Sequence, residues 1–288
     1  MKISLYGQKY KEEHKPYLDL LMQKLKILDA DVYMFQDYAS QIDSSLPTFT
    51  SNSDLLKIDP ELMITLGGDG TILGATSIIK DIDLPILGIN LGRLGFLAGT
   101  EKNKIEVALD AWVSKNYRIE DRTMIGIKSS IPIFEDYSYA LNDFTLLKRD
   151  TSSMVKIHSY IDGQFLNSYW ADGLIVCTPT GSTGYSLSCG GPIIFPDSGN
   201  FAITPVAPHN LNVRPIVIPD DSVISFKIEG RSENFLCTLD SRFETVTSEH
   251  EIEVFKAPTT TKLVFLEEIK FMNTIRQKLS WGFDTRNI

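Results

Sequence analysis

Apolar runs alternate with amphipathic stretches over the first hundred residues, which is how strands joined by crossover helices read in sequence. Residues 3–6 form a short apolar run, and residues 16–28 place Leu18, Leu21, Leu25 and Leu28 at near-helical spacing on one broad face. Residues 32–35 predict the next strand, and residues 54–61 lead into a run at 62–66. A helix through 72–80 then precedes another buried run at 84–89. Continuous apolar strands separated by helices predict a parallel α/β sheet.

The pattern changes near Tyr117. Short β-rich runs follow at residues 123–128, 144–147, 155–161, 174–177, 216–218, 223–228, 235–239 and 251–256. Many are bounded by Gly, Pro, Asp or Ser, which predicts an antiparallel β domain rather than further crossover units. Residues 266–281 regain helical spacing through Phe271, Ile275 and Leu279. The expected organisation is an N-terminal α/β domain over 1–115, a β-rich domain over 116–265, and a segment from 266 to 288 that packs back on the first. Residues 43–53 read as a polar loop, and no repeat or long low-complexity linker is visible.

A chain of 288 residues with 43% hydrophobic side chains can bury two cores. Its formal net charge of -9 argues against a general nucleic-acid binder, which needs a concentrated basic surface. The apolar runs fall far short of the roughly 20 residues that cross a bilayer, and the first residues lack a leader's apolar core, so a cytoplasmic location without membrane attachment is expected. Cys177, Cys189 and Cys237 show neither CxxC nor Cys/His spacing, which predicts no disulfide framework and no structural zinc.

Candidate chemistry begins in the segment LMITLGGDGT at 62–71. Gly67 and Gly68 leave a strand without Cβ crowding, so backbone amides can approach phosphate oxygens. Asp69 is expected at the strand end, Gly70 leaves room above it, and Thr71 is expected to cap the next helix, whose positive end favours phosphate. A carboxylate so placed can take the proton of a hydroxyl attacking an activated phosphoryl group. The segment is neither GxGxxG nor GxxxxGK[ST], which argues against a Rossmann oxidoreductase and a P-loop NTPase. In NLGRLGFL at 90–97, Gly92 and Gly95 can shape a second loop that turns Arg93 toward an anion, with Phe96 and Leu97 as its anchors.

The other informative passage is DGLIVCTPTGSTGY at 172–185. Thr178, Thr180, Ser182 and Thr183 surround Gly181 and Gly184, offering hydroxyls and amides where carboxylates would repel polyphosphate. Tyr185 can pack on a base, and Asn142 with Asp143 can recognise vicinal ribose hydroxyls. Each segment has an ordinary structural reading as a turn, and their value lies in combination. Ser182 does not sit in a GxSxG elbow, and none of the four histidines has triad spacing; His209 and Arg214 fall in a loop, APHNLNVRP, that can face an anion. No protein metal cage is predicted; Mg2+ is expected to arrive with a polyphosphate donor and water.

Taken together, LGGDGT at 66–71, NLGRLGFL at 90–97, ALND at 140–143, WADGLIVCTPTGSTGYSLSCGGP at 170–192 and PHNLNVRP at 208–215 resemble the ATP-NAD kinase family over nearly the whole chain. The resemblance implies an α+β two-domain fold, with an N-terminal Rossmann-like α/β domain and a C-terminal β-sandwich, in a homodimer or homotetramer that binds dinucleotide between its domains. It implies transfer of the γ-phosphoryl of ATP to the 2′-hydroxyl of the adenosine ribose of NAD, giving NADP, with Asp69 as proton acceptor. NAD contacts are implied for Asp69, Gly70, Asn142, Asp143, Asp172, Thr180, Thr183, Gly184, Tyr185 and Ser188, that of Asp172 in some members across the dimer. Gly67, Gly68, Thr71, Arg93 and His209 are the candidate phosphate or ATP contacts.

Three positions depart from the family pattern. Asp143 stands where Glu is usual, GSTGY replaces GSTAY at Gly184, and Ser241 replaces the glycine after Asp240. GGDG alone also fits a lipid or sugar kinase, or a nucleotide sensor without catalysis. A sensor has little reason to set a carboxylate beside polyphosphate, since their charges repel.

Overall fold

The computed structural model describes residues 1–149, 154–230 and 233–282. The chain forms two compact units, Met1–Asp121 with Thr261–Ile288, and Arg122–Thr260.

The first unit is built on a parallel sheet. Lys2–Gly7 lies at its centre, flanked on one side by Asp31–Phe35 and Thr48–Phe49, and on the other by Leu62–Leu66, Ile86–Asn90 and the end of Ile252–Leu266. Every pair is parallel, with Ile3 opposite Leu62, Met63 opposite Ile86 and Ile86 opposite Leu263. The predicted helix is Lys15–Ile27 and buries Leu18, Leu21 and Leu25. Because the chain winds outward on one side and then returns to the other, the strand order reverses between Lys2–Gly7 and Leu62–Leu66. Their C-terminal ends lie side by side, Gly7 opposite Leu66. A reversal of this kind opens a crevice beyond the strand ends, where open α/β sheets take their ligands.

Residues 43–53 are not simply a loop. They hold the strand Thr48–Phe49 and the start of the helix Asn52–Ile58, where the hydroxyl of Ser51 accepts the amide of Asp54 at 3.3 Å. Two further helices, Gln36–Gln41 and Ile105–Ser114, were not evident from the pattern; the second buries Ile105, Ala108, Leu109 and Ala111. The C-terminal helix is Phe271–Leu279, with Phe271 tilted against Phe96 at 6.2 Å between ring centres.

The second unit is an antiparallel sandwich. One sheet runs in the order Ile216–Pro219, Asn200–Val206, Gly173–Cys177, Asp143–Lys148, Phe235–Leu239, Arg242–Val246. The other contains Gln164–Ala171, Val155–Ile161, Ile224–Gly230 and the beginning of Ile252–Leu266. Phe144, Val176 and Phe201 from one layer share a core with Ile157, Phe226 and Val254 from the other. The rings of Phe144 and Phe226 stack at 5.8 Å. Strand Asn200–Val206 escaped sequence reading because Pro205 lies within it, and a proline ordinarily argues against a paired strand.

Candidate functional site

The glycine turn leaves the strand Leu62–Leu66 at the reversal point and becomes the helix Asp69–Ile79 within two residues. Asp69 is therefore the first residue of that helix rather than the end of the strand. Gly68 is the N-cap, and Thr71, expected in that role, is buried inside the first turn with its amide on the carbonyl of Gly68 at 2.9 Å. Thr71 in this position requires glycine at 67, where a Cβ would lie 2.1 Å from its hydroxyl. Gly68 and Gly70 have nothing within 4 Å of the Cβ they lack, so the turn presents open backbone at a helix N-terminus.

The carboxylate of Asp69 is held from one side. Its Oδ2 accepts the amide of Phe96 at 2.8 Å, and its Oδ1 accepts those of Leu97 and Ala98, each at 3.0 Å. Gly95 makes this approach possible, since a Cβ there would stand 1.9 Å from Oδ1. The loop at 90–98 therefore engages the turn through its backbone. Leu97 is buried as its anchor, and the side chain of Asn90 braces the bend by donating to the carbonyl of Arg93 and accepting the amide of Gly92 at 2.8 Å. Arg93 itself is exposed.

The second unit gathers most of the other candidates at one end of the strand pair Asp143–Lys148 and Gly173–Cys177, where Asp143 lies opposite Cys177. The amide of Thr178 donates to the carbonyl of Asn142 at 2.9 Å and its hydroxyl to that of Leu141 at 2.6 Å. Gly181 lies so close that a Cβ would come within 2.0 Å of the Asn142 carbonyl. Gly184 is roomier: its Cβ would meet the Gly181 carbonyl at 3.2 Å and the Asn142 amide nitrogen at 3.7 Å. Thr180 accepts from Arg122 at 3.2 Å, and the hydroxyl of Thr183 donates to the Thr180 carbonyl at 3.1 Å. Tyr185 and Ser188, on the short helix Tyr185–Ser188, are exposed. Ser182 is fully buried, with its hydroxyl bonded to the carbonyl of Pro179 at 2.6 Å, which removes it as a nucleophile.

Asp240 was left without a role by its sequence. Its Oδ2 accepts the amide of Leu141 at 2.9 Å, and its Oδ1 accepts those of Asn142 at 2.7 Å and Asp143 at 3.2 Å. The two-residue loop Asp240–Ser241 joins the strands Phe235–Leu239 and Arg242–Val246, and only Asp240 is left-handed, at φ 51. Position 241 needs no positive φ, so serine replaces the usual glycine without strain. Burial raises the pKa of Asp240 against the lowering pull of the three amides and of Arg242. Asp143 is pushed up to about 7, first by burial and then by the charge of Asp240.

Asp172 and His209 stand apart from this cluster. Asp172 precedes the opposite end of the strand pair, where its Oδ1 pairs with the ammonium of Lys148 at 2.6 Å. Lys148 lies five residue steps along the strand from Asp143, about 17 Å at the usual rise. His209 is exposed at the same end, its amide on the carbonyl of Trp170 at 2.9 Å, and the guanidinium of Arg214 is used within its own loop on the carbonyls of Leu211 and Val213.

Residues 11–117 match the ATP-NAD kinase N-terminal domain, and residues 141–266 match the ATP-NAD kinase C-terminal domain. An NAD kinase of Cytophaga hutchinsonii is 49% identical, with all of both chains covered. One from Flavobacterium psychrophilum is 44% identical, again over the whole of both. Among solved structures, the yeast NADH kinase complexed with NADH shares the fold at a TM-score of 0.89 and 23% identity, covering 100% of this chain and 89% of that one. An NAD kinase from Archaeoglobus fulgidus in complex with ATP matches at a TM-score of 0.79 and 26% identity, covering 98% of this chain and 100% of its own. The chain belongs to the ATP-NAD kinase family.

Proposed function

We propose that this chain carries out the NAD kinase reaction with Asp69 as proton acceptor, moving the γ-phosphoryl of ATP to the 2′-hydroxyl of the adenosine ribose of NAD to give NADP. The kinase activity rests on full-length relatives named NAD kinase, which favour it over a lipid or sugar kinase and over a sensor. The observation that carries the role of Asp69 is its bonding pattern. An ionised carboxylate has about four acceptor positions, and three loop amides use three of them, two on Oδ1 and one on Oδ2. The position left on Oδ2 is fixed in direction and free to take the proton of an attacking hydroxyl.

The open backbone of Gly68 and Gly70, at the positive end of the helix Asp69–Ile79, is suited to hold phosphate oxygens of the substrates, with Gly67 letting the turn close on Thr71, and the exposed Arg93 adds positive charge. Thr71, being buried, serves the turn rather than the ligand. Asn142, Asp143, Thr180, Thr183, Gly184, Tyr185 and Ser188 form the dinucleotide arm. One carboxylate already bonded to amides, amid backbone groups, makes a poor protein cage for a cation but fits Mg2+ carried by ATP phosphates and water. Bound there, Mg2+ would neutralise phosphate charge through the phosphate oxygens and water, leaving the one open acceptor position of Asp69 to the ribose hydroxyl.

Asp172 and His209 lie at the far end of the strand pair, so a contribution of Asp172 to NAD binding, or of His209 to phosphate or ATP binding, requires a second copy of the chain. The reading therefore includes a homodimer or a homotetramer, checked by light scattering on the purified protein. No helix among the described residues is long and apolar enough to cross a membrane. The proposed location is the cytoplasm, checked by cell fractionation. The direct test is incubation with NAD or NADH and with ATP, GTP or inorganic polyphosphate, followed by product identification. NADP or NADPH is the expected product. Phosphorylated lipid or sugar in their place, or binding without product, would overturn the reading.

A further inference from the structure

The segment 141–143 carries two residues of the dinucleotide arm, Asn142 and Asp143, at the entry to the strand Asp143–Lys148. The amides of this segment converge on one side chain outside the arm. Asp240 takes all three, while Thr178 holds the same segment from its carbonyl side through Leu141 and Asn142. Arg242, two residues beyond, donates to the carbonyls of Tyr137 and Tyr139 and places a positive charge beside Asp240. The bend is thus clamped on both faces.

We infer that Asp240 is a positioning residue for NAD: its carboxylate sets the direction of the Asn142 and Asp143 side chains without touching the substrate itself. Three consecutive amides on one carboxylate define the path of three residues, and a shift of the bend would swing both side chains together. The inference rests on the reading of Asn142 and Asp143 as NAD contacts. Among the described residues the hydrogen bonds of Asp240 lie within the second unit, so its loss should act on NAD rather than on ATP.

The isosteric Asp240→Asn keeps one oxygen for two of the amides and turns an NH2 group toward the third, which loosens the bend with little change in volume. In steady-state NADP formation, the KM for NAD is expected to rise about 10-fold while the KM for ATP stays within about 2-fold, as loss of binding to one substrate predicts. Asn142→Ala added to Asp240→Asn should raise the KM for NAD by much less than it does in the parent chain, because both changes act on one contact. Additive effects, an unchanged KM for NAD, or equal rises for NAD and ATP would overturn the inference. Should Asp240→Asn fail to fold, as judged by its thermal melt, Thr178→Val releases the same bend from its other face. It should give the same selective rise for NAD, and an unchanged KM would count equally against a positioning role. A parent chain that forms no NADP at all would instead sink the proposed function.

Discussion

Asp69 and Asp240 are held in the same way and put to opposite uses. Each accepts three consecutive backbone amides, two on Oδ1 and one on Oδ2, from residues 96–98 in one unit and 141–143 in the other. Around Asp240 the protein completes the environment, with burial as the largest influence on its carboxyl and Arg242 as counter-charge. Asp69 instead emerges amid Gly68 and Gly70, where nothing stands within 4 Å of the missing Cβ atoms. One carboxylate organises the distant segment 141–143 and is finished; the other is organised by a loop and still has an acceptor position to offer. What separates a structural acid from the proposed catalytic one here is the space left beside it, not the number of hydrogen bonds it makes.

Glycine substitutions break this comparison most sharply. Gly181→Ala drives a methyl into the Asn142 carbonyl, which is backbone and cannot turn aside, so a loss of about 3 kcal/mol is expected, read as a lower thermal midpoint. Asp143 should give a smaller, pH-dependent effect. Its folded pKa of about 7 lies above the ordinary carboxylate value of 3.8, so its neutral form is the one the fold favours. Stability is complete below the unfolded value and is lost as pH rises through about 7. Asp143→Asn should therefore gain on the parent chain between pH 5 and pH 8, by about 2 kcal/mol in denaturant titrations. A constant difference across that range would show that burial does not shift Asp143.

Gly95→Ala meets the movable end of Asp69 rather than backbone, so its cost to stability should stay near 1 kcal/mol while kcat falls about 10-fold as the carboxylate is displaced. Equal losses in stability and kcat at Gly95 and Gly181 would erase the distinction between the two sites. The smallest effect belongs to Gly184→Ala. Its methyl has only the Gly181 carbonyl at 3.2 Å to accommodate, so stability should change by less than about 1 kcal/mol, with a modestly lower KM for NAD.

Much of this was legible in the sequence because periodicity and glycine spacing act locally. The helix over 15–27 and the strands at 62–66, 155–161 and 235–239 follow from apolar pattern alone. The glycine turn is visible as chemistry, but the sequence does not distinguish Thr71 from a cap, because a Ser or Thr near a helix start resembles an N-cap whether it precedes the helix or lies inside it. The bonds of Asp69 to residues 96–98 and of Asp240 to residues 141–143 were not legible. Both join a side chain to backbone amides distant in sequence, and amides carry no residue identity. The one signal available was glycine: Gly95 and Gly181 stand where a carboxylate and a carbonyl press in.

The central claim is that Asp69 takes the ribose proton while the loop at 96–98 aims it. Asp69→Asn removes the proton acceptor but keeps an oxygen for Leu97 and Ala98, so the decisive measurement is the rate of NADP formation beside the affinity for NAD on that one variant. With Asp69 as proton acceptor, kcat is expected to fall by roughly 10² or more while NAD binds within a few-fold of the parent chain. Near-parental kcat would contradict that role.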